Sequence, residues 1–223
     1  DGRSLVVDPH DVMASPFGWH DTNGAAGAEF TITHGNNTSA YADPNDDDTY
    51  STGDSPDCGA SLNCDFPINL AQQPATYRTA STANLFYWSD VIHDVMWQYG
   101  FDEASGNFQV NNYGNGGAGN DPVNSEAQDS ANTGGNCNAN FGTPPDGQRP
   151  RMQMYLCNQA NPSHDGSFDT GVIAHEYGHG ISNRMTGGPS NVSCLDNAEQ
   201  MGEGWSDLFG LLLSMRETDT GAL

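Results

Sequence analysis

The stretch Gly171-Val172-Ile173-Ala174-His175-Glu176-Tyr177-Gly178-His179-Gly180 constrains this chain most, because it sets the pattern His-Glu-x-x-His inside an apolar, helix-compatible run. A helix turns about 100° per residue, so side chains four apart stand on one face and two imidazoles can meet one metal ion. Glu176 falls at the edge of that face, within reach of a metal-bound water but outside the coordination positions, as a general base requires. A catalytic zinc takes three protein ligands and keeps a fourth position for water, whose pKa it lowers towards ~7. A five-residue pattern with two free positions also arises by chance, and most helical histidines are ordinary surface or core residues. Against that, two histidines and a glutamate are costly to bury without a metal, and Val172, Ile173 and Ala174 mark the helix as buried.

A second signal follows at Met201-Gly202-Glu203-Gly204-Trp205-Ser206-Asp207, which runs into Leu208-Phe209-Gly210-Leu211-Leu212-Leu213. So continuous an apolar stretch predicts a core helix. On it Glu203 and Asp207 share a face, so that one carboxylate can complete the zinc site while the other accepts the free ring N–H of a ligating histidine. Between the two helices the chain must reverse, and Thr186-Gly187-Gly188-Pro189 supplies Gly at a C-cap with Pro beyond it. The expectation is two antiparallel helices facing each other across a metal.

His-Glu-Tyr-Gly-His-Gly-Ile-Ser-Asn-Arg-Met-Thr-Gly-Gly-Pro over residues 175–189, followed by Gly-Glu-Gly-Trp-Ser-Asp over 202–207, resembles the fungalysin family of secreted zinc metalloendopeptidases, relatives of thermolysin. The likeness extends upstream through residues 138–147 and Asn84-Leu85-Phe86-Tyr87-Trp88, reaches weakly to Ser15-Pro16-Phe17-Gly18-Trp19-His20, and so covers most of the chain. It implies an α+β, thermolysin-like zinc metalloprotease, extracellular and made as a zymogen with a propeptide in the precursor. Residue by residue, it makes His175, His179 and Glu203 the zinc ligands, Glu176 the base and Asp207 the partner of His175. It also carries substrate backbone binding onto Asn138 and Ala139. Glu199 competes as third ligand, lying nineteen intervening residues after His179 as in thermolysin itself. Glu203 is preferred because it alone has Asp207 four residues on and sits inside the family's motif. Relatives follow the second zinc helix with a largely helical C-terminal subdomain, whereas this sequence stops at Leu223 with all seven histidines at or before His179. The expectation is that the C-terminal remainder of the catalytic domain, as a second chain, completes the molecule, and that the apolar 208–215 helix otherwise leaves an exposed patch.

Composition narrows the alternatives. The formal charge of −23 and the absence of lysine exclude nucleic acid as a partner, since phosphate binding needs clustered Lys and Arg. No apolar run approaches the ~18 residues of a membrane span. Residues 1–20 lack a basic n-region followed by an apolar core, so a mature fragment is expected. The acidity has two readings: carboxylates that coordinate calcium, or charge that keeps a secreted protein soluble. Asp43-Pro44-Asn45-Asp46-Asp47-Asp48 is the best calcium candidate, with a solvated charged loop as the plain alternative.

Along the chain, residues 1–80 read as a β-rich N-terminal region and 81–223 as the zinc-binding region of one incomplete catalytic domain. Residues 27–41 are read as strand material with a hairpin turn at Gly35-Asn36-Asn37. The apolar spacing from Ala83 to Gly100 predicts a packed helix, with His93 a core histidine. The Gly-, Asn- and Asp-rich residues 111–136 read as a long loop. Asn138 to Phe141 and Arg151 to Leu156 bracket a Pro-Pro-Asp-Gly turn; in the thermolysin-like arrangement the first segment is the edge strand that receives an extended peptide, although a plain hairpin would look the same. Asp165 to Thr170 provides an N-cap for the zinc helix. Cys58 and Cys64 suit a local disulfide, while Cys137 and Cys157 can pair and leave Cys194 odd. Oxidised cysteines, with glycosylation patterns at Asn36, Asn37 and Asn191, fit export.

Two other classes compete with a protease. A calcium-dependent extracellular binding module would explain the acidity but leave His175, Glu176 and His179 without purpose. A metal-dependent hydrolase of non-peptide substrates would keep the zinc site yet need no edge strand.

Overall fold

The computed structural model describes residues 3–198 and 201–220. Its principal elements, in chain order, are β1 (Thr38–Ala42), α1 (Arg78–Gln98), β2 (Val123–Asp129), β3 (Ala139–Gly142), β4 (Arg151–Cys157), β5 (His164–Asp165), α2 (Thr170–Thr186) and α3 (Met201–Ser214). The strands form one mixed sheet in the order β1-β2-β4-β3, with β1, β2 and β4 parallel, β3 antiparallel on the β4 side, and β5 paired to the end of β4. The architecture is α+β, as expected.

The core lies between this sheet and the helices α1 and α2. Met152, Met154 and Leu156 alternate along β4 and are buried, as a period of two requires of a strand with one covered face. Leu85 and Ile92 of α1, and Ile173, Ala174, Tyr177 and Ile181 of α2, join them with Val123, Ala127, Phe101 and Phe108. Each of the Val, Leu, Ile, Phe and Met side chains contributes about 1.5–3 kcal/mol when fully buried, so α2 is fixed by its inward face whatever its outward face binds. Helix α1 ends as predicted beside Gly100, whose φ of +98° only glycine adopts without strain. His93 is a core histidine: Nδ1 bonds Asp94 at 2.9 Å and Nε2 bonds Gln109 at 3.0 Å.

Residues 1–80 are not β-rich. Among the described residues of this region Thr38–Ala42 is the one strand, and the rest of 27–41 makes isolated bridges, Ile32 to Asp57 and His34 to Ser39. The reason is local competition: Asp and Asn side chains bond nearby backbone N–H groups, as Asp21 does with Gly24 and Ala25, and draw the chain into turns rather than ladders. The hairpin turn does form, with Gly35 N–H donating to Thr38 and Ala40 N–H to Thr33. The glycosylation reading at Asn36 and Asn37 is overturned, since both are completely buried; Asn191 is exposed.

The long loop read over 111–136 contains β2, the strand between β1 and β4. Only Val123 and Ala127 are apolar there, and Ser125, Glu126, Gln128 and Asp129 are buried polar residues, so no hydrophobic alternation marks the strand. Both expected disulfides, Cys58–Cys64 and Cys137–Cys157, are present, and Cys194 is free and exposed. No described helix is long and apolar enough to cross a membrane.

Helix α3 departs from its reading as a core helix. It packs on α2 through Ser206 and Gly210, while Trp205, Leu208, Leu211 and Leu212 are exposed. This is the apolar patch that the resemblance led us to expect.

Candidate functional site

Helix α2 starts where Asp169 caps it, its carboxylate accepting from the backbone N–H of Val172 at 3.2 Å. Four residues separate His175 from His179, and their rings stand 4.9 Å apart at 81° on one face. Helix α3 approaches that face closely because glycines line the crossing. A Cβ on Gly178 would meet Phe209 at 2.8 Å and the Cα of Ser206 at 3.1 Å, and one on Gly210 would meet the carbonyl of Gly171 at 3.0 Å.

The approach brings Glu203 to the histidines. Its Oε2 lies 3.1 Å from Nε2 of His175 and 3.6 Å from Nε2 of His179. Two ligands bonded to one zinc at about 2.1 Å and a tetrahedral angle stand about 3.4 Å apart, so these spacings match a shared ion. Asp207, one turn on, accepts from Nδ1 of His175 at 2.9 Å. Burial lowers the His179 pKa, with Glu203 opposing, which favours the neutral, ligating form of the ring. The donor set of two imidazoles and a carboxylate suits zinc. Glu199, the competing ligand, lies outside the described residues.

Glu176 is buried beside this group, and burial pushes its carboxyl up to about 7, with His175 opposing and Glu203 adding to the rise. A base poised near neutral pH suits proton transfer. Glu176 and His175 line an open cavity of about 690 Å³ together with Asn138 and Ala139, so all four residues meet at one opening. Asn138 and Ala139 belong to the sheet margin: Asn138 accepts from Tyr155 N–H at 3.3 Å, and Ala139 stands opposite Met154 in β4. Val172 and Leu211 also line the cavity. From the sequence both read as packing residues, although each lies one helical turn from a residue of the converging group, Val172 before His175 and Leu211 after Asp207.

Arg184 takes no part in the site. It is buried and donates to Asp121 at 3.1 Å, Asp146 at 3.3 Å and the Gly106 carbonyl at 2.9 Å, against the ring of Phe108. That places it as a structural pin at the end of α2.

Comparison with known proteins bears on this geometry. The family model described as fungalysin metallopeptidase matches residues 1–222. The extracellular metalloproteinase MEP of Pyricularia oryzae is 43% identical over 221 residues, which cover 98% of this chain and 34% of that protein. That of Fusarium vanettenii is 44% identical over 221 residues, with the same coverage. A probable extracellular metalloproteinase 2 of Arthroderma benhamiae is 40% identical, covering 97% of this chain and 34% of its own length. The chain thus spans about a third of the length of the curated relatives it matches.

Proposed function

Because the chain belongs to the fungalysin metallopeptidase family, we propose that it carries the zinc-binding part of a secreted metalloendopeptidase that hydrolyses internal peptide bonds of proteins. The observation that carries this reading is the convergence of Glu203 on Nε2 of His175 and His179, at 3.1 and 3.6 Å, beside the buried Glu176.

In this reading His175, His179 and Glu203 hold zinc, and Asp207 keeps Nδ1 of His175 occupied so that Nε2 is the ligating nitrogen. Zinc, when bound, supplies a Lewis acid that polarises a carbonyl and acidifies water. Glu176 takes the proton of the attacking water onto its carboxylate and later passes it to the departing amine. Asn138 and Ala139, at the sheet margin, offer backbone groups to an extended peptide, while Val172 and Leu211 give the adjoining cavity an apolar wall. A plain hairpin role for β3 would give these residues no reason to share a cavity with Glu176.

Secretion is supported by the two disulfides and by the extracellular naming of the relatives. Residues 81–223 are then the metal-binding region of the catalytic domain, and residues 1–80 contribute β1 and the loops around it. The exposed apolar face of α3 is read as the seat for the C-terminal remainder of that domain, as a second chain or a continuation, and a propeptide in the precursor belongs to the same proposal. A calcium-dependent binding module without enzymatic activity would leave the converging histidines unexplained.

The test pairs metal analysis of this chain with casein hydrolysis by the full-length protein that contains it. One zinc per chain, lost in His179→Ala, and hydrolysis lost in Glu176→Gln are expected. A chain that binds no zinc after dialysis against it would overturn the reading.

A further inference from the structure

A second group of carboxylates converges away from the zinc ligands. Asp43, Glu126 and Asp129 are all buried, and one oxygen of each lies within 4.8 Å of the others. Side chains alternate along a strand, so residues 126 and 129 belong on opposite faces of a regular β2. A register irregularity between Ala127 and Asp129, with Gln128 at a φ of +52°, adds the extra residue that returns Asp129 to the face of Glu126. Asp43 follows the last residue of β1 and meets them there.

Most of the oxygens in this group have partners. The Tyr41 hydroxyl donates to Oε1 of Glu126, Gln153 and Ser130 side chains donate to Asp129, and the backbone N–H groups of Asp47 and Asp48 donate to Asp43. The exception is Oε2 of Glu126. Its side chain is completely buried, the oxygen accepts no hydrogen bond, and the Arg151 Nε stands 3.9 Å away, beyond bonding reach. Arg151 is the one guanidinium paired with the cluster among the described residues, and it also bonds Asp48 at 2.5 Å. Three carboxylates therefore face a single shared positive charge. Without a further cation, burial pushes Glu126 up to about 8 and also raises Asp129, Asp43 adding to both.

We propose that Asp43, Glu126 and Asp129 form a structural calcium site at the end of β1, with Oε2 of Glu126 as its buried anchoring ligand. The donors are all oxygens, which selects a hard cation and excludes the nitrogen and sulfur preferences of zinc or copper. Two calcium ligands on opposite sides of the ion stand about 4.6–5.2 Å apart, so a group spanning no more than 4.8 Å can close on one ion. Magnesium fits less well, since it retains several waters and takes only one or two carboxylates. Charge supports the same choice, because a divalent cation neutralises what Arg151 leaves. The ion would clamp β1 to β2, whose other neighbour β4 carries β3. Calcium here holds the sheet and does no chemistry. The inference does not rest on the zinc reading, as the two ligand sets share no residue.

The test uses the chain stripped with chelator and reloaded with zinc. Titration with calcium chloride is expected to show one calcium per chain and, at about 100 times its Kd, a rise in Tm of about 5–10 °C. Glu126→Gln should abolish that rise while keeping zinc, and without calcium its Tm should equal or exceed that of the wild type because the buried charge is gone. Asp129→Asn is a second variant expected to lose the rise. Terbium provides a direct probe in the unmodified chain, with tyrosine-sensitised emission that calcium displaces. No calcium-dependent rise, an equal rise in Glu126→Gln, or the same rise with magnesium chloride at equal concentration would overturn the assignment.

Discussion

Nδ1 of His175 stands 2.9 Å from Oδ1 of Asp207, while Nε2 of the same ring faces Oε2 of Glu203 at 3.1 Å. A carboxylate can only accept, so with a metal ion between Nε2 and Glu203 the ring would keep its proton on Nδ1, toward Asp207, and present the Nε2 lone pair to the ion. In the proposed site one helical turn of α3 would do two jobs, Glu203 offering an oxygen to the metal and Asp207 orienting the ring that shares it.

Asp207→Ala should accordingly weaken zinc binding by about 10–100-fold without removing any ligand. Competition against a zinc-selective chelator measures this directly. Unchanged affinity would mean that the contact is incidental to the metal site.

Glu176→Gln should bind zinc as tightly as the wild type, because the three ligands remain, while casein hydrolysis by the full-length protein falls by about 10²–10⁴. The side chain keeps its size, so folding is not the issue. Activity within tenfold of the wild type would remove Glu176 from the mechanism.

Glu203→Ala should release zinc and Glu199→Ala should not. Metal content after gel filtration reads out both variants. The reverse pattern would make thermolysin's own spacing a better guide than the Gly-Glu-Gly-Trp-Ser-Asp motif.

The convergence of His175, His179, Glu203 and Asp207 was legible because helical spacing converts sequence positions into a face. His175 and His179, or Glu203 and Asp207, need no tertiary information to be placed together. Helix α1 and the turn between β3 and β4 were legible for similar local reasons. Strand β2 was not, since Ser125, Glu126, Gln128 and Asp129 carry no apolar alternation and are held instead by polar partners supplied by β1, β4, α1 and the loops. The carboxylate cluster was hidden with it. Asp43 stood out in an acidic loop, but its meeting with Glu126 and Asp129 depends on sheet register and on an irregularity that sequence spacing does not record.

That cluster makes a prediction about pH. Glu126 has its carboxyl pushed up to about 8 from an ordinary 4.5, chiefly by burial, with Asp43 and Asp129 adding and Tyr41 and Arg151 opposing. A group whose pKa is raised in the folded state leaves stability intact below the unfolded value and removes it as pH climbs through the folded value. The calcium-free chain should therefore lose stability from this cluster between about pH 4.5 and 8, and Asp129 shifts in the same direction. Calcium pairs the charge, so the Tm gained on adding it should grow across that window. A gain that shrinks with rising pH would contradict the assignment of these groups.

Gly178→Ala tests the helix crossing itself. The position is helical, where alanine is intrinsically preferred over glycine by about 1 kcal/mol, so in the absence of α3 the substitution would stabilise α2. Here the new Cβ meets the ring of Phe209 at 2.8 Å and the Cα of Ser206 at 3.1 Å. The ring can turn, but the backbone at Ser206 moves only if α3 moves, and overpacking of this kind costs about 1–3 kcal/mol. Ser206 lies between Glu203 and Asp207, so the same displacement draws both carboxylates away from His175. The variant should keep the fold of the sheet and α1, seen as unchanged far-ultraviolet circular dichroism, and lose zinc affinity by at least tenfold. Zinc binding at wild-type strength would show that α3 is not held to α2 by this close approach.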